Sequence, residues 1–215
     1  MSNINPWEQA YLRFETPEEE IEKFIGRLNQ LGQKEWPRDL KIIEIFCGRG
    51  NGLIALKRLG FTNLMGVDLS PALLKSYQGD SALCASDCRW LPLADGSCDM
   101  VIVQGGLHHL PVLPDDLELT LAEVKRALRP GGKFVMVEPW LTPFLRVIHF
   151  LSEQRIVRRL SKKFDAFATM VHYERETYFS WLGQPEKLLV VFRRHFSEVF
   201  FRKQYGKVLF VGYSS

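Results

Sequence analysis

No apolar run in this 215-residue chain approaches the ~18 residues that a bilayer-crossing helix needs. The start, MSNINPWEQAYLRFETPEEE, is polar and acidic and lacks the basic-then-apolar pattern of a secretory leader, so a cytoplasmic location is expected. Cysteine is scarce. Cys47, Cys84, Cys88 and Cys98 show no CxxC spacing, and no histidine lies among them at the spacing of a zinc finger. Free thiols and no metal-ligand set are the expectation. Internal repeats and low-complexity segments are also missing, which excludes a solenoid and a disordered chain. An excess of one charge is nearly absent too, with 28 Lys+Arg against 25 Asp+Glu.

That near-balance conceals a split. Residues 1–138 carry 15 basic against 19 acidic residues, and residues 139–215 carry 13 against 6. Such asymmetry suggests that the later part faces something anionic. Apolar residues make up 46% of the chain, enough for a sizeable core, and the length suits one domain with additions.

Pro17 followed by Glu18, Glu19 and Glu20 favours a helix start, because acidic side chains meet the positive end of the helix dipole. Ile21, Phe24, Ile25, Leu28 and Leu31 continue it at helical spacing, and Gly32 is a plausible stop. Short β-branched runs then predict strands at 40–46, 63–68, 82–86, 99–104 and 133–138. Helical segments alternate with them at 53–59, after Pro71, and at 115–128. This alternation predicts an α/β fold with a doubly wound, parallel sheet. Two aromatic-rich runs, 196–203 and 206–213, are close enough to form an antiparallel hairpin. Nearly sixty residues separate the fifth strand from that hairpin, too many for a simple crossover, so helices are expected there.

Three places carry candidate chemistry. In IIEIFCGRGNG a strand runs into Gly48, Gly50 and Gly52 and then a helix. Such a loop lets backbone approach a ligand beside the free N–H groups of a helix start, or simply makes a tight turn. Asp68 ends the second strand, where a carboxylate can accept hydrogen bonds from ribose hydroxyls or cap the next helix. The third is SDCRWLPLADGSCDMVIVQGGLHHL, with Asp87 after the third strand, Asp99 opening the fourth, and Gly105-Gly106 where the fourth should end.

Together these residues resemble class I S-adenosylmethionine-dependent methyltransferases, particularly the small-molecule and quinone-pathway group. The features matched are Glu44 through Gly50, Asp68, the run from Asp87 through Leu91-Pro92 to Asp99, His108-His109, and Leu128 to Gly132. Order and spacing agree across about residues 40–138. The resemblance implies a Rossmann-like, seven-stranded sheet that is mostly parallel and ends in an antiparallel hairpin. Its parts would be a helical cover at 1–36, a cofactor-binding core at 37–139, a helical insertion at 140–195 and the hairpin at 196–215. S-adenosylmethionine would be the cofactor. Gly48 and Gly50 would lie against its methionine and ribose. Glu44 would contact the amino group or organise the loop. Asp68 would take the ribose and Leu69 would sit beside the adenine. Asp87 would accept from the adenine amino group, and Cys88 would donate its backbone N–H. Gln104 would place its backbone near the methionine end. Phe46 departs from the pattern, standing where the family has glycine. It must point away from the ligand or narrow the pocket. His108 and His109 are the candidate bases for an acceptor that must lose a proton, with Glu138 a further candidate at the substrate pocket.

A small, apolar or amphiphilic acceptor is expected. The stretch 143–164 reads as a basic amphipathic helix, with Phe144, Val147, Leu151, Val157, Leu160 and Phe164 near one face. Such a helix can rest on an anionic membrane surface, but packing on the sheet with a solvated basic face is the favoured reading. RNA ranks below a small acceptor, because the motifs of base-modifying methyltransferases are missing. A non-catalytic binding relative is the alternative from another class.

Overall fold

The computed structural model describes residues 6–214. Helix α1 (Pro6–Phe14) leads to α2 (Pro17–Gln30). Thr16 and Glu19 form a reciprocal capping box at the start of α2, which satisfies backbone donors that would otherwise be orphaned. Gly32 adopts φ +79°, a left-handed conformation, and ends the helical cover.

The core then alternates as the sequence predicts. Strand β1 (Ile42–Ile45) is buried throughout and is followed by α3 (Asn51–Arg58). Next come β2 (Leu64–Asp68), the short α4 (Pro71–Leu74), β3 (Ala82–Ala85) and β4 (Cys98–Gln104). Helix α5 (Asp115–Ala127) leads into β5 (Leu128–Pro139). Five helices follow: α6 (Pro143–Glu153), α7 (Arg155–Leu160), α8 (Lys162–Tyr173), α9 (Arg175–Gly183) and α10 (Pro185–His195). The chain closes on β6 (Ser197–Gln204) and β7 (Lys207–Tyr213).

Among the described residues the strands form one seven-stranded sheet in the order β3-β2-β1-β4-β5-β7-β6. The pairs from β3 to β5 are parallel, and β7 runs antiparallel to β5 and β6. Side chains alternate between faces, so Ile43, Val101 and Val103 join one core layer while Ile42, Met100 and Ile102 join the other. Sheet order reverses between β1 and β4, and both strands point their carboxyl ends at the same crevice. Ligands bind at such a switch point in open α/β sheets.

The long insertion divides in two. Helices α9 and α10 cover the sheet: Phe192 of α10 stacks on Phe134, and the Trp181 indole of α9 donates to the Pro139 carbonyl at 2.8 Å. Helices α6 to α8 instead form a cap. Helix α1 packs against α8 with an Arg13–Asp165 bridge, and Lys163 of α8 bridges to Glu19 of α2. The expectation of one helix over 143–164 packed on the sheet is thereby corrected. Gln154 and Ser161 take extended conformations, and the Ser161 hydroxyl caps α8 by accepting from Phe164 N–H, so the chain turns twice. Phe144, Val147 and Leu160 are left exposed rather than buried on the sheet.

All four cysteines are free thiols. No helix of the described residues is long and apolar enough to cross a membrane.

Candidate active site

The carboxyl ends of β1, β2 and β4, together with the helical cap, enclose a cavity of about 920 Å³. That lies near the top of the ~300–1,000 Å³ range typical of small-molecule sites. Glu44, Phe46, Gly48, Asp68, Leu69, Asp87, Cys88, Gln104, His108 and His109 line it; Gly50 sits behind the first loop, and Gly52, Asp99 and the fully buried Glu138 lie outside the lining.

The first loop is held by Asp68. Its Oδ2 accepts from Gly48 N–H and its Oδ1 from Ser70 N–H, both at 2.8 Å. The carboxylate therefore ties the loop after β1 to the loop after β2. Ser70, and not Asp68, caps α4, because its hydroxyl accepts from Leu73 N–H. Asp68 is left free to face the cavity.

Glu44 is buried at the end of β1. A Cβ on Gly52 would overlap its carboxylate, so glycine at this position admits Glu44 rather than a ligand. Glu44 accepts from Leu53 N–H, and burial, with Glu20 nearby, pushes its pKa up to about 8. Its Oε2 has no partner, and neither amide atom of Gln104 has one. Buried polar atoms without partners are uncommon and cost stability, so their concentration in one cavity marks a ligand's place.

Phe46 resolves its departure from the glycine pattern by adopting φ +56° itself, a strained conformation for an aromatic residue. Its side chain lines the cavity and lies where a Cβ on Gly106 would be, so Gly106 makes room for it.

At the other end of this wall, Asp87 is held by Arg89 at 2.7 Å, and the same guanidinium reaches Asp116 at 2.8 Å. Arg89 keeps the Asp87 carboxyl below its usual range. Cys88 is buried, its thiol pushed up to about 11 by burial, which makes it an unreactive wall. Leu69 stands exposed at the rim.

The two histidines separate clearly. His108 is buried, and its Nδ1 lies 2.7 Å from Glu138 Oε2. Glu138 is fully buried and its Oε1 accepts from Gly106 N–H at 2.7 Å and Leu107 N–H at 2.8 Å. This arrangement fixes Nδ1 as the protonated nitrogen and leaves Nε2 as the acceptor. Nε2 points toward Glu174, 3.9 Å away. His109 Nδ1 lies 3.6 Å from Glu174 Oε1, too far for a hydrogen bond, and burial together with His108 holds its pKa well below the usual value, which favours the neutral ring. His108, His109 and Glu174 bring ligand-type atoms within 4.8 Å of one another, a set that could hold a divalent ion.

The sequence reading missed Glu174, whose carboxyl burial raises, and the aromatic wall that α1 supplies through Trp7 and Tyr11. No motif marks either. Both reach the site only because the cap folds back over the sheet.

The methyltransferase domain model matches residues 43–136. Demethylmenaquinone methyltransferase from Staphylococcus aureus (strain MRSA252) is 28% identical over 160 residues, covering 69% of this chain and 64% of that protein. Probable phthiotriol/phenolphthiotriol dimycocerosates methyltransferase 2 from Mycobacterium ulcerans (strain Agy99) is 36% identical over 104 residues, covering 46% of this chain and 39% of that protein. The chain thus spans less than two thirds of the length of these relatives. Among solved structures, a protein from Pyrococcus horikoshii OT3 superposes with a TM-score of 0.71 at 20% identity, covering 99% of this chain and 100% of that one.

Proposed function

We propose that this chain, a member of the class I S-adenosylmethionine-dependent methyltransferases through its residues 43–136, transfers a methyl group to a small amphiphilic acceptor bound under its helical cap. The observation that carries this is that His108, held from behind by buried Glu138, faces the cavity that also holds Glu44, Asp68 and Gln104.

The cofactor fits the residues present. Unpartnered Glu44 Oε2 and the Gln104 amide suit an amino-acid end with an ammonium group, and Asp68 suits vicinal hydroxyls. Asp87, Cys88 and Leu69 would hold the base, with Asp87 shared between that contact and Arg89. Gly48 would present bare backbone, and Gly50 would shape the loop from behind. When bound, the cofactor supplies an electrophilic methyl group on a sulfonium. The protein's part is to align, to exclude water and to move one proton. His108 Nε2 accepts the acceptor's proton, and the fixed Glu138 carboxylate stabilises the imidazolium that forms. His109 contributes a neutral wall. In this reading the cover, core, insertion and hairpin act as one domain.

Glu44 gives a test of the cofactor reading. Its folded pKa is raised, so its contribution to stability is present below the ordinary carboxyl pKa and is lost as pH rises through about 8. An ammonium group binds the ionised form. Calorimetric titration with S-adenosylmethionine should therefore show affinity rising toward about pH 8, with a proton released on binding at neutral pH. In Glu44→Gln both effects should vanish. No binding at millimolar cofactor would end the enzyme reading and favour a non-catalytic relative.

The relatives are named for a quinone and a lipid, which supports an amphiphilic acceptor. The cap supports lipid-surface docking as well. Phe150, Ile156 and Leu160 are 63%, 71% and 83% exposed, and exposed Arg146, Arg155, Arg159 and Lys162 lie among them. Phe144 and Lys163 of the same cap line the cavity, so this face adjoins the acceptor's entrance. Ile156 and Leu160 among these cations suit acyl chains, whereas single-stranded RNA asks for a row of stacking aromatics and exposed Phe150 and Phe144 supply only two. In flotation assays the protein should bind phosphatidylglycerol vesicles and not phosphatidylcholine vesicles, and Phe150→Asp with Leu160→Asp should abolish binding. Equal binding to both vesicles would remove the electrostatic part of this reading.

A further inference from the structure

Six Lys and Arg side chains and six carboxylates line the cavity, yet they are not matched one to one. Lys23 is paired with Glu15, Lys163 with Glu19, and Arg89 with Asp87 and Asp116. Arg49, in the first loop, rests over the Tyr11 ring at 4.9 Å. Arg27 and Lys207 remain. Both line the cavity and neither has a carboxylate within 4.0 Å nor a side-chain hydrogen bond among the described residues; the Arg27 guanidinium lies over the Phe24 ring at 5.4 Å. The acidic groups nearest them are all committed elsewhere. Glu20 accepts from Tyr11 and Asn51, Glu15 holds Lys23, and Glu138 holds His108 and two backbone N–H groups.

Two half-buried cations whose nearest carboxylates, Glu15, Glu20 and Glu138, act only from a distance are costly, and proteins keep such arrangements where a ligand supplies a direct partner. Burial, together with Arg27, pushes Lys207 down to about 8. The position is informative. Lys207 pairs with Pro139 across the β5–β7 register, one residue from the carboxylate that orients His108. Arg27 reaches in from the last turn of α2. The pair therefore lies on the acceptor side, at the carboxyl end of β5.

We infer that Arg27 and Lys207 form a receptor for an anionic group, a carboxylate or phosphate, carried by the methyl acceptor. Arg27 supplies a planar fork that suits either oxyanion, and Lys207 supplies a point charge. The acceptor is then an acidic amphiphile: its acid group sits between the two cations, its apolar body against Phe144, Phe164 and Phe167, and its reacting atom toward His108 Nε2. This rests on the cavity being the acceptor site. The same oxyanion chemistry could come from the cofactor's own carboxylate, and the experiment separates the two sources.

Binding of dodecanoate and of dodecanol would be measured by calorimetry on the full chain, with and without S-adenosylhomocysteine. Dodecanoate should bind the wild type at least about tenfold more tightly than dodecanol, and Arg27→Gln or Lys207→Met should erase that preference while leaving S-adenosylhomocysteine affinity unchanged. Loss of S-adenosylhomocysteine affinity in these variants would overturn the proposal by assigning the cations to the cofactor. Equal binding of acid and alcohol to the wild type would overturn it outright. If the wild type binds dodecanoate selectively and not S-adenosylhomocysteine, the receptor stands and the cofactor reading falls. Folding is controlled in the same series: removing an uncompensated cation should leave the melting temperature of Lys207→Met unchanged or higher.

Discussion

Replacing His108 by Asn should lower single-turnover methyl transfer by about 10²–10⁴-fold, the range expected when a positioned proton acceptor is removed. Asparagine keeps a polar group of similar reach but cannot accept a proton at Nε2. Cofactor affinity should be nearly unchanged, because His108 points to Glu174 rather than toward the Asp68 loop. Glu138→Gln should fall in the same direction by a different route. The amide can still accept from Gly106 and Leu107 N–H, but it cannot stabilise an imidazolium. Because the two residues act as a unit, the double variant should be about as slow as the slower single variant, not the product of both losses. His109→Asn should cost little, since that ring is already held neutral by burial and by its neighbour. Rapid-quench measurement with saturating cofactor separates these outcomes. Equal loss from His108 and His109 variants would show that the pair packs the loop and does no proton transfer.

The second large effect is on binding. Asp68→Ala should weaken S-adenosylmethionine by at least about 100-fold in calorimetric titration, because two hydrogen bonds to a charged group are each worth about 1.5–3 kcal/mol. The carboxylate does two jobs here. It faces the cavity, and it clamps Gly48 N–H and Ser70 N–H together, so its removal also loosens the loop that would lie against the cofactor. Asp68→Asn should be intermediate, since one amide oxygen can accept from one of the two backbone donors. Unchanged affinity in Asp68→Ala would show that the ribose assignment is wrong.

The cofactor half of the site was legible because its chemistry is local. A strand, a glycine loop and an acidic residue at the end of the next strand lie within 25 residues, from Glu44 to Asp68, and the parallel sheet aligns them without help from elsewhere. The meaning of the glycines was less accessible. Gly52 exists for Glu44, and Gly106 exists for Phe46 sixty residues earlier, which no local pattern reveals. Phe46 looked like a lesion in the loop, and it is accommodated only because a distant glycine vacates its space. The helix expected over 143–164 failed for a related reason. Its period of apolar residues is real, yet two polar residues, Gln154 and Ser161, turn the chain, so only the first segment, through Leu145 and Ile148, packs on the core.

By itself, then, the sequence determined the alternation of strands and helices, the position of the switch-point crevice and the residues that end its strands. Those follow from hydrophobic periodicity and turn chemistry, which act over a few residues. Tertiary structure alone decided that His108, and not His109, has a hydrogen-bonded carboxylate behind it, because Glu138 arrives from β5 some thirty residues later. It also decided that Glu174, Arg27 and Lys207 share one cavity, because desolvation and unpaired charge are properties of an enclosed space and not of a stretch of chain.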